Sequence, residues 1–365
     1  MKGMRWEELR DGADEGALFD RGEVTAPPER GTGRAGLITP GPGPVDAGSD
    51  DDPMAIEIRA RSVLNRVPGA SDVPFEWTVN PYRGCSHACV YCFARRSHEY
   101  LDLDSGRDFD TKIMVKVNAG HVLRTELAHP KWAGQHIAMG TNTDPYQRAE
   151  GHYRLMPDIL AALRDFANPF SILTKGTLVL RDLPIIEQAA RRAEVGMAVS
   201  VGSVDDAVWR AVEPGTPRPT SRLNVVREFT RNGIGCSVLM APILPGLTDS
   251  AGQIEETVAA IAEAGAGSVT PIVLHLRPGA REWYLAWLSE HHPHLVPHYR
   301  KLYRNGAYAP RAYQKAVRER VRAAARRHGL RGPGDGSRGT EHRQHRHGRD
   351  ETGRHQRAGQ QLALM

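Results

Sequence analysis

Three of the four cysteines in this 365-residue chain fall within eight residues, in Asn80-Pro-Tyr-Arg-Gly-Cys85-Ser-His-Ala-Cys89-Val-Tyr-Cys92-Phe-Ala-Arg. Four cysteines placed this way are too few for a disulfide scaffold, and their clustering argues for a metal or redox centre. Three thiolates from one compact loop can ligate three irons of a cubane and leave the fourth without a protein ligand. That open position is what a catalytic centre needs and a structural one lacks. Zinc is the competing reading. It normally takes four protein ligands, with His87 or His98 as the candidate fourth. His87 lies between two of the cysteines, which makes joint tetrahedral ligation awkward, and no second Cys-x2-Cys completes a zinc ribbon. The spacing favours a cluster and leaves zinc open.

The elements that must hold this loop read as alternating strands and helices. Short apolar runs occur at Trp77–Asn80, His136–Gly140, Phe170–Thr174, Gly196–Val201, Cys236–Ala241 and Ser268–Leu274. Between them, Leu155, Ile159, Leu163 and Phe166 recur at helical spacing. Asp182 is placed to cap a helix with Ile185, Ile186, Ala189 and Ala190 on its inner face. Ser221 is placed to cap one carrying Leu223, Val226 and Phe229, and Asp249 or Ser250 one carrying Ile254, Val258 and Ile261. About six strands with intervening helices is the pattern of parallel βαβ units, so the fold class is α/β. Open sheet and barrel both fit the periodicity. In either, functional loops belong at the strand C-termini, where the polar turns after HIAMG and FSILT and the serine late in GMAVSV fall.

Composition sets further bounds. Residues 25–53 are rich in Pro, Gly and Asp and read as a linker, and the chain from Gly332 onward reads as a disordered tail. The expected organisation is an N-terminal arm and linker over 1–55, a core over 56–280, a basic helical extension over 281–330 and a tail over 331–365. No run approaches the roughly 18 apolar residues of a membrane span, and the N-terminus lacks the apolar core of a secretory signal. A cytoplasmic protein without a membrane partner is expected. The net charge is +5, and Arg300 to Leu330 alone holds ten Lys/Arg against one acid. The His291-His-Pro-His294 run reads as a solvated turn rather than a metal site.

Cys-x3-Cys-x2-Cys with Tyr91 before the last cysteine resembles the signature of the radical S-adenosylmethionine (SAM) superfamily. The NPYRGCSHACVYCFAR loop, the GTNTDPYQRAE turn, TKGTLVLRD, EPGTPRPTSRL and APILPGLTD resemble, in order over about residues 60–280, its spore photoproduct lyase-related branch. The resemblance implies a partial (β/α)6 TIM-like barrel and a [4Fe–4S] cluster held by Cys85, Cys89 and Cys92. It implies reductive cleavage of S-adenosyl-L-methionine to a 5′-deoxyadenosyl radical, which abstracts hydrogen from a substrate. By the same analogy Tyr91 lies against the adenine. Lys175 and Ser200 contact the methionyl carboxylate, with Arg222 a second candidate through a bidentate fork. Thr141, Asn142, Thr143 and Asp144 sit where the amine is held. A flavodoxin- or ferredoxin-type electron donor is implied.

The substrate is less constrained. The lyase repairs a thymine dimer in DNA, and Arg311, Lys315, Arg318, Arg322 and Arg326 recur at helical spacing opposite Tyr313, Val317 and Val321. One face of that helix suits the phosphates of DNA or RNA. Against this, the lyase uses a cysteine just after the second strand as hydrogen donor, and the corresponding GTNTDPYQ here has none. Cys236 is the remaining thiol; alternation within GCSVLM could point it into the barrel as a donor. The reading from another class is a non-catalytic zinc or iron–sulfur binding or regulatory protein.

Overall fold

The computed structural model describes residues 54–67 and 73–330, together with the backbone of 36–37. The expected arm, linker and tail lie outside the described residues, except for a two-residue strand at Gly36–Leu37, which pairs antiparallel with the strand that begins at Met54. In chain order the strands are β1 (Gly36–Leu37), β2 (Met54–Ile58), β3 (Leu64–Arg66), β4 (Trp77–Val79), β5 (Tyr82–Arg83) and β6 (Lys112–Lys116). They continue as β7 (Ile137–Met139), β8 (Phe170–Thr174), β9 (Val195–Ser200), β10 (Cys236–Ile243) and β11 (Val269–Val273).

Seven strands make the main sheet in the order β11-β10-β9-β8-β7-β4-β3. The six expected runs are its parallel strands, and β3 joins antiparallel at the β4 edge. Each parallel pair is joined by a crossover, so the loops leaving the C-terminal strand ends gather on one rim. The result is the open, partial barrel of βαβ units. Its two faces differ. Val79, Met139, Ile172 and Met197 lie in register and are almost completely buried toward the helices. On the other face Thr78, Ala138, Ser171 and Gly196 form a row of small residues. The inner face there carries no bulky side chain.

A second sheet, of order β1-β2-β6-β5, was not expected from the pattern. Its strands are short, and β5 is part of the segment leading into the cysteine loop. Its register comes from β5 pairing back onto β6, a contact between distant parts of the chain.

The helices follow the expected stripes with corrections at their ends. Leu155, Ile159 and Leu163 are buried on Leu155–Asp165, but Phe166 is the C-cap and is 39% exposed. Ile186 and Ala189 are buried on Leu183–Ala190, whereas Ala190 is exposed. Asp182 does precede that helix, yet its carboxylate accepts from Arg181 instead of capping the helix. Ser221 is not a cap: Pro219 starts the helix Pro219–Arg231, because proline at the first turn forfeits no internal hydrogen bond. Ser250 caps Ala251–Glu263 in a reciprocal capping box with Gln253, while Asp249 accepts from Tyr313 and the Gly246 amide. The C-terminal helix Arg311–Arg327 buries Val317, Val321, Ala324 and Ala325 against β11 and Ala251–Glu263. Arg311, Lys315 and Arg326 stay exposed and Arg318 and Arg322 half-buried.

Gly140 ends β7 where the polar turn begins. Its φ is +81°, and a Cβ there would lie 1.8 Å from the Leu173 carbonyl oxygen of β8. Both the conformation and the approach require glycine. Gly140→Ala is expected to lower stability by about 2–4 kcal/mol, read as a fall in the urea midpoint at unchanged slope.

Candidate active site

The cysteine loop cannot pair its own backbone as a strand or helix does, so its polar groups find partners from three other loops. Cys85 N donates to Phe109 O at 2.9 Å, Val90 N to Val212 O at 3.0 Å, and Gly215 N to His87 O at 3.1 Å. Gln147, fully buried, closes the TNTDPYQ turn and bridges the loop: its Oε1 accepts from Ser86 N at 2.9 Å and its Nε2 donates to Gly84 O at 3.0 Å. Gly84, at φ +79°, makes the entry turn, and Gly215 lets the EPGTP loop close on Ser86, whose carbonyl oxygen would lie 2.1 Å from a Cβ. The motifs that are scattered in sequence therefore meet around the thiols.

Arg95, three residues past Cys92, is completely buried under the loop. Its guanidinium donates to Cys89 O at 2.9 Å, to Gly106 O at 2.7 Å and to both Asp110 carboxylate oxygens at 2.9 Å, and it lies against the rings of Trp283 and Phe109. Burial raises the Asp110 pKa to about 6 against the pull of Arg95.

Burial pushes all three thiols up, and Cys85 is raised further by Asp144, Cys89 and Cys92. Deprotonated, the three sulfurs would be uncompensated anions in a dry loop, and an iron–sulfur cluster would supply the positive charge they lack. The donor set therefore fits the group. Of the candidate fourth zinc ligands, His87 Nδ1 faces Asp144 Oδ2 at 3.5 Å, and His98 Nε2 lies 2.9 Å from Lys112 O while its buried Nδ1 has no partner among the described residues. Among the described residues no three His, Cys, Asp or Glu side chains converge where a single metal ion would sit.

Beside the loop lies a buried charge network. Lys175, just past β8, and Ser200, at the end of β9, are hydrogen-bonded Nζ to Oγ, and Ser200 Oγ donates to Ala241 O at 2.9 Å. The Lys175 ammonium is 3.5 Å from Glu213 Oε1 and 5.9 Å from the centre of the Tyr91 ring. Tyr91 donates its hydroxyl to Glu213, and buried Arg222 donates to Glu213 and, at 2.8 Å, to Ser200 O. Burial pushes the Glu213 carboxyl up, but Arg222 and Lys175 outweigh it and hold its pKa at about 2. Two cations and the Glu213 carboxylate meet here, with the Asp144 carboxylate against the Lys175 amide, so the buried charge is balanced and the Lys175 ammonium is the group an incoming carboxylate would meet.

The four turn residues separate into two kinds. Asp144 is engaged: Oδ1 accepts from Thr174 Oγ1 at 2.6 Å and Tyr146 N at 2.9 Å, and Oδ2 from Lys175 N at 2.6 Å. Thr143 donates to Tyr82 O at 3.0 Å. Both bind neighbouring loops together. Thr141 and Asn142 are half-buried, with side chains that make no hydrogen bond among the described residues.

Cys236 is not brought to this site. It opens β10 in register with Met197, on the helix-facing side of the sheet and in the main core. It lies three residues below the Leu239–Ser200 pair, roughly 10 Å along the strand. His291 and His294 are exposed at the end of a helix and in the turn beyond it, with His292 half-buried between them. Sequence reasoning missed Gln147, Glu213 and Arg95. Each belongs to a quoted motif, but only the folded contacts show that it braces the loop or balances its charge.

A parallel partial barrel with three thiols at its C-terminal rim defines a class of protein. The radical SAM superfamily description matches residues 79–270, more than half of the chain, and the chain belongs to that superfamily, whose members are enzymes of radical chemistry. An uncharacterised protein of Mycobacterium tuberculosis is 52% identical over 265 residues, covering 73% of this chain and 78% of that one. An uncharacterised protein of Methanocaldococcus jannaschii is 28% identical over 204 residues, 55% of this chain and 72% of that one. Among solved structures, a spore photoproduct lyase variant with bound AdoMet and dinucleoside spore photoproduct superposes with a TM-score of 0.57. It is 16% identical, over 75% of this chain and 79% of that one. At that identity the likeness establishes the fold.

Glu213→Gln leaves buried Arg222 without its counter-charge and is expected to cost about 3 kcal/mol near neutral pH. Because the folded pKa of Glu213 is depressed, its stabilisation is fully present above about pH 4.5 and is lost as pH falls toward 2. The gap between wild type and Glu213→Gln in denaturant midpoint should therefore shrink across that window.

Proposed function

We propose that the chain is a radical SAM enzyme in which Cys85, Cys89 and Cys92 hold a [4Fe–4S] cluster and S-adenosylmethionine binds beside it at Lys175 and Ser200. The observation that carries this reading is that the cysteine loop lies against the Lys175–Ser200–Glu213–Arg222 network, with Tyr91 bonded to Glu213 and facing Lys175. When bound and reduced, the cluster supplies the electron that breaks the sulfonium C–S bond to give the 5′-deoxyadenosyl radical, which takes a hydrogen atom from the substrate. The chain's own part is to orient and to exclude water. Lys175 presents its ammonium to the methionyl carboxylate, and Ser200 fixes the direction of that ammonium. Arg222, held by Glu213 and the Ser200 carbonyl, balances the Glu213 carboxylate and leaves the Lys175 ammonium available. Tyr91, anchored through its hydroxyl to Glu213, offers its ring edge and backbone to the adenine. Thr141 and Asn142 offer unoccupied polar groups to the amine, with Thr143 and Asp144 holding their turn.

A flavodoxin- or ferredoxin-type protein is the electron donor implied by this chemistry. Nucleic acid is the substrate class we infer, supported by the basic face of Arg311–Arg327 and by the lyase structure whose name places it on a dinucleoside lesion. The reaction itself differs from lesion repair by hydrogen return from a cysteine after β7, since GTNTDPYQ holds none. Among the described residues no helix is long and apolar enough to cross a membrane, and we read the protein as cytoplasmic.

Anaerobic protein reconstituted with iron and sulfide and reduced with dithionite should release 5′-deoxyadenosine from S-adenosylmethionine. The Cys85→Ala/Cys89→Ala/Cys92→Ala variant should release none, and Lys175→Ala should raise the apparent KM for S-adenosylmethionine about tenfold or more. Stoichiometric zinc with no 5′-deoxyadenosine would replace this reading with the non-catalytic metal-binding one. DNA or RNA binding should weaken with salt, and charge-neutralising changes at Arg318 and Arg322 should reduce the log–log salt slope by about 1 each.

A further inference from the structure

In the small sheet Arg83 of β5 is paired with Met114 of β6, and Lys116 of β6 with Ile58 of β2. Side chains alternate along a strand, so Arg83, Met114, Lys116, Ile56 and Ile58 share one face, opposite the face on which Tyr82, Ile113 and Val115 enter the core. Lys116 is only 7% exposed and Arg83 is half-buried. Among the described residues neither side chain has a hydrogen bond or ion pair. The acids nearby are engaged: Glu126 accepts from Ser62 Oγ at 2.5 Å and from the amides of Val63 and Leu64, and Asp108 pairs with Lys112 at 2.8 Å. Burial lowers the Lys116 pKa to about 8, and the Arg83 charge pushes it the same way, with Glu126 in partial opposition.

Two neighbouring cations withdrawn from water, with only the already engaged Glu126 carboxylate in range among the described residues, oppose folding. The arrangement makes sense where an anion arrives from outside. The Lys116 ammonium is not among the fully enclosed, partnerless polar atoms, so the tip of an otherwise buried side chain is within reach of solvent. Arg83 also lies two residues before Cys85, which places the pair at the edge of the cysteine loop. We propose that Arg83 and Lys116 form an oxyanion-binding subsite that takes a phosphate or carboxylate group of the substrate. The guanidinium supplies a planar fork and the ammonium a point charge. Ile56, Ile58 and Met114 on the same face offer an aliphatic surface to the part of the substrate attached to that group. Assigning the anion to a substrate rests on the enzymatic reading above; the binding of an oxyanion does not.

The test is a thermal-melt titration of cluster-reconstituted protein, with S-adenosylmethionine present and ionic strength held constant by chloride. Inorganic phosphate, a nucleoside monophosphate and benzoate are the probes. Binding of at least one should raise the wild-type midpoint by roughly 5 °C at a hundredfold excess over its Kd. Lys116→Met should melt higher than wild type without added anion and show no anion-dependent rise, and Arg83→Gln should weaken the Kd at least fivefold. A nucleoside monophosphate binding more tightly than the other two would identify a phosphate-bearing substrate, and benzoate doing so a carboxylate. The proposal is overturned if no probe shifts the wild type, or if either variant responds as the wild type does. Release of 5′-deoxyadenosine from the same wild-type preparation separates the two readings. An anion response without that product removes the enzymatic reading and leaves the subsite standing.

Discussion

A loop that must present three thiols to one body cannot also satisfy its own amides and carbonyls, because neither helix nor strand spaces Cys85, Cys89 and Cys92 that way. Every unpaired polar group of such a buried loop carries a free-energy penalty comparable to a lost hydrogen bond. Here the penalty is avoided with partners from elsewhere: Gln147 from the turn after β7, Val212 and Gly215 from the loop after β9, and Phe109 from the segment before β6. The same bonds that quiet the cysteine loop draw those turns onto it. The site is assembled as a by-product of satisfying one loop.

Charge imposes the second constraint. Glu213, Arg222 and Lys175 are buried within one network, and the carboxylate stays ionised because two cations face it. Removing Glu213 leaves Arg222 buried without its partner, and removing Arg222 leaves Glu213 with Lys175 alone, so the three are coupled in stability. Beneath the loop, Arg95 and Asp110 form a second buried pair that fastens the Cys89 carbonyl. Both pairs place their charge beside the thiols without exposing it to water, where screening would weaken it.

The barrel contributes little chemistry and much placement. Its helix-facing residues are large and fully buried, while the inner row Thr78, Ala138, Ser171 and Gly196 is small. That asymmetry keeps bulky side chains off the inner face without loosening the core. It also explains the fate of Cys236, whose parity places it with Met197 among the core residues.

How much of this could be read from residues alone differs by kind. The six parallel strands, the buried stripes of their helices, a helix start at Asp249 or Ser250 and the three clustered cysteines follow from local periodicity and spacing, which act over a few residues. So does the basic face of Arg311–Arg327. Other features depended on contacts between segments far apart in the chain. Neither the small sheet, nor the side of β10 on which Cys236 falls, nor the bracing by Gln147 and Arg95 has a local signal. Strand parity is two-fold, so a choice of register that the sequence does not encode sends a side chain to the core or to the site. Likewise Arg83 and Lys116 are 33 positions apart, and only the pairing of β5 with β6 sets the two cations side by side.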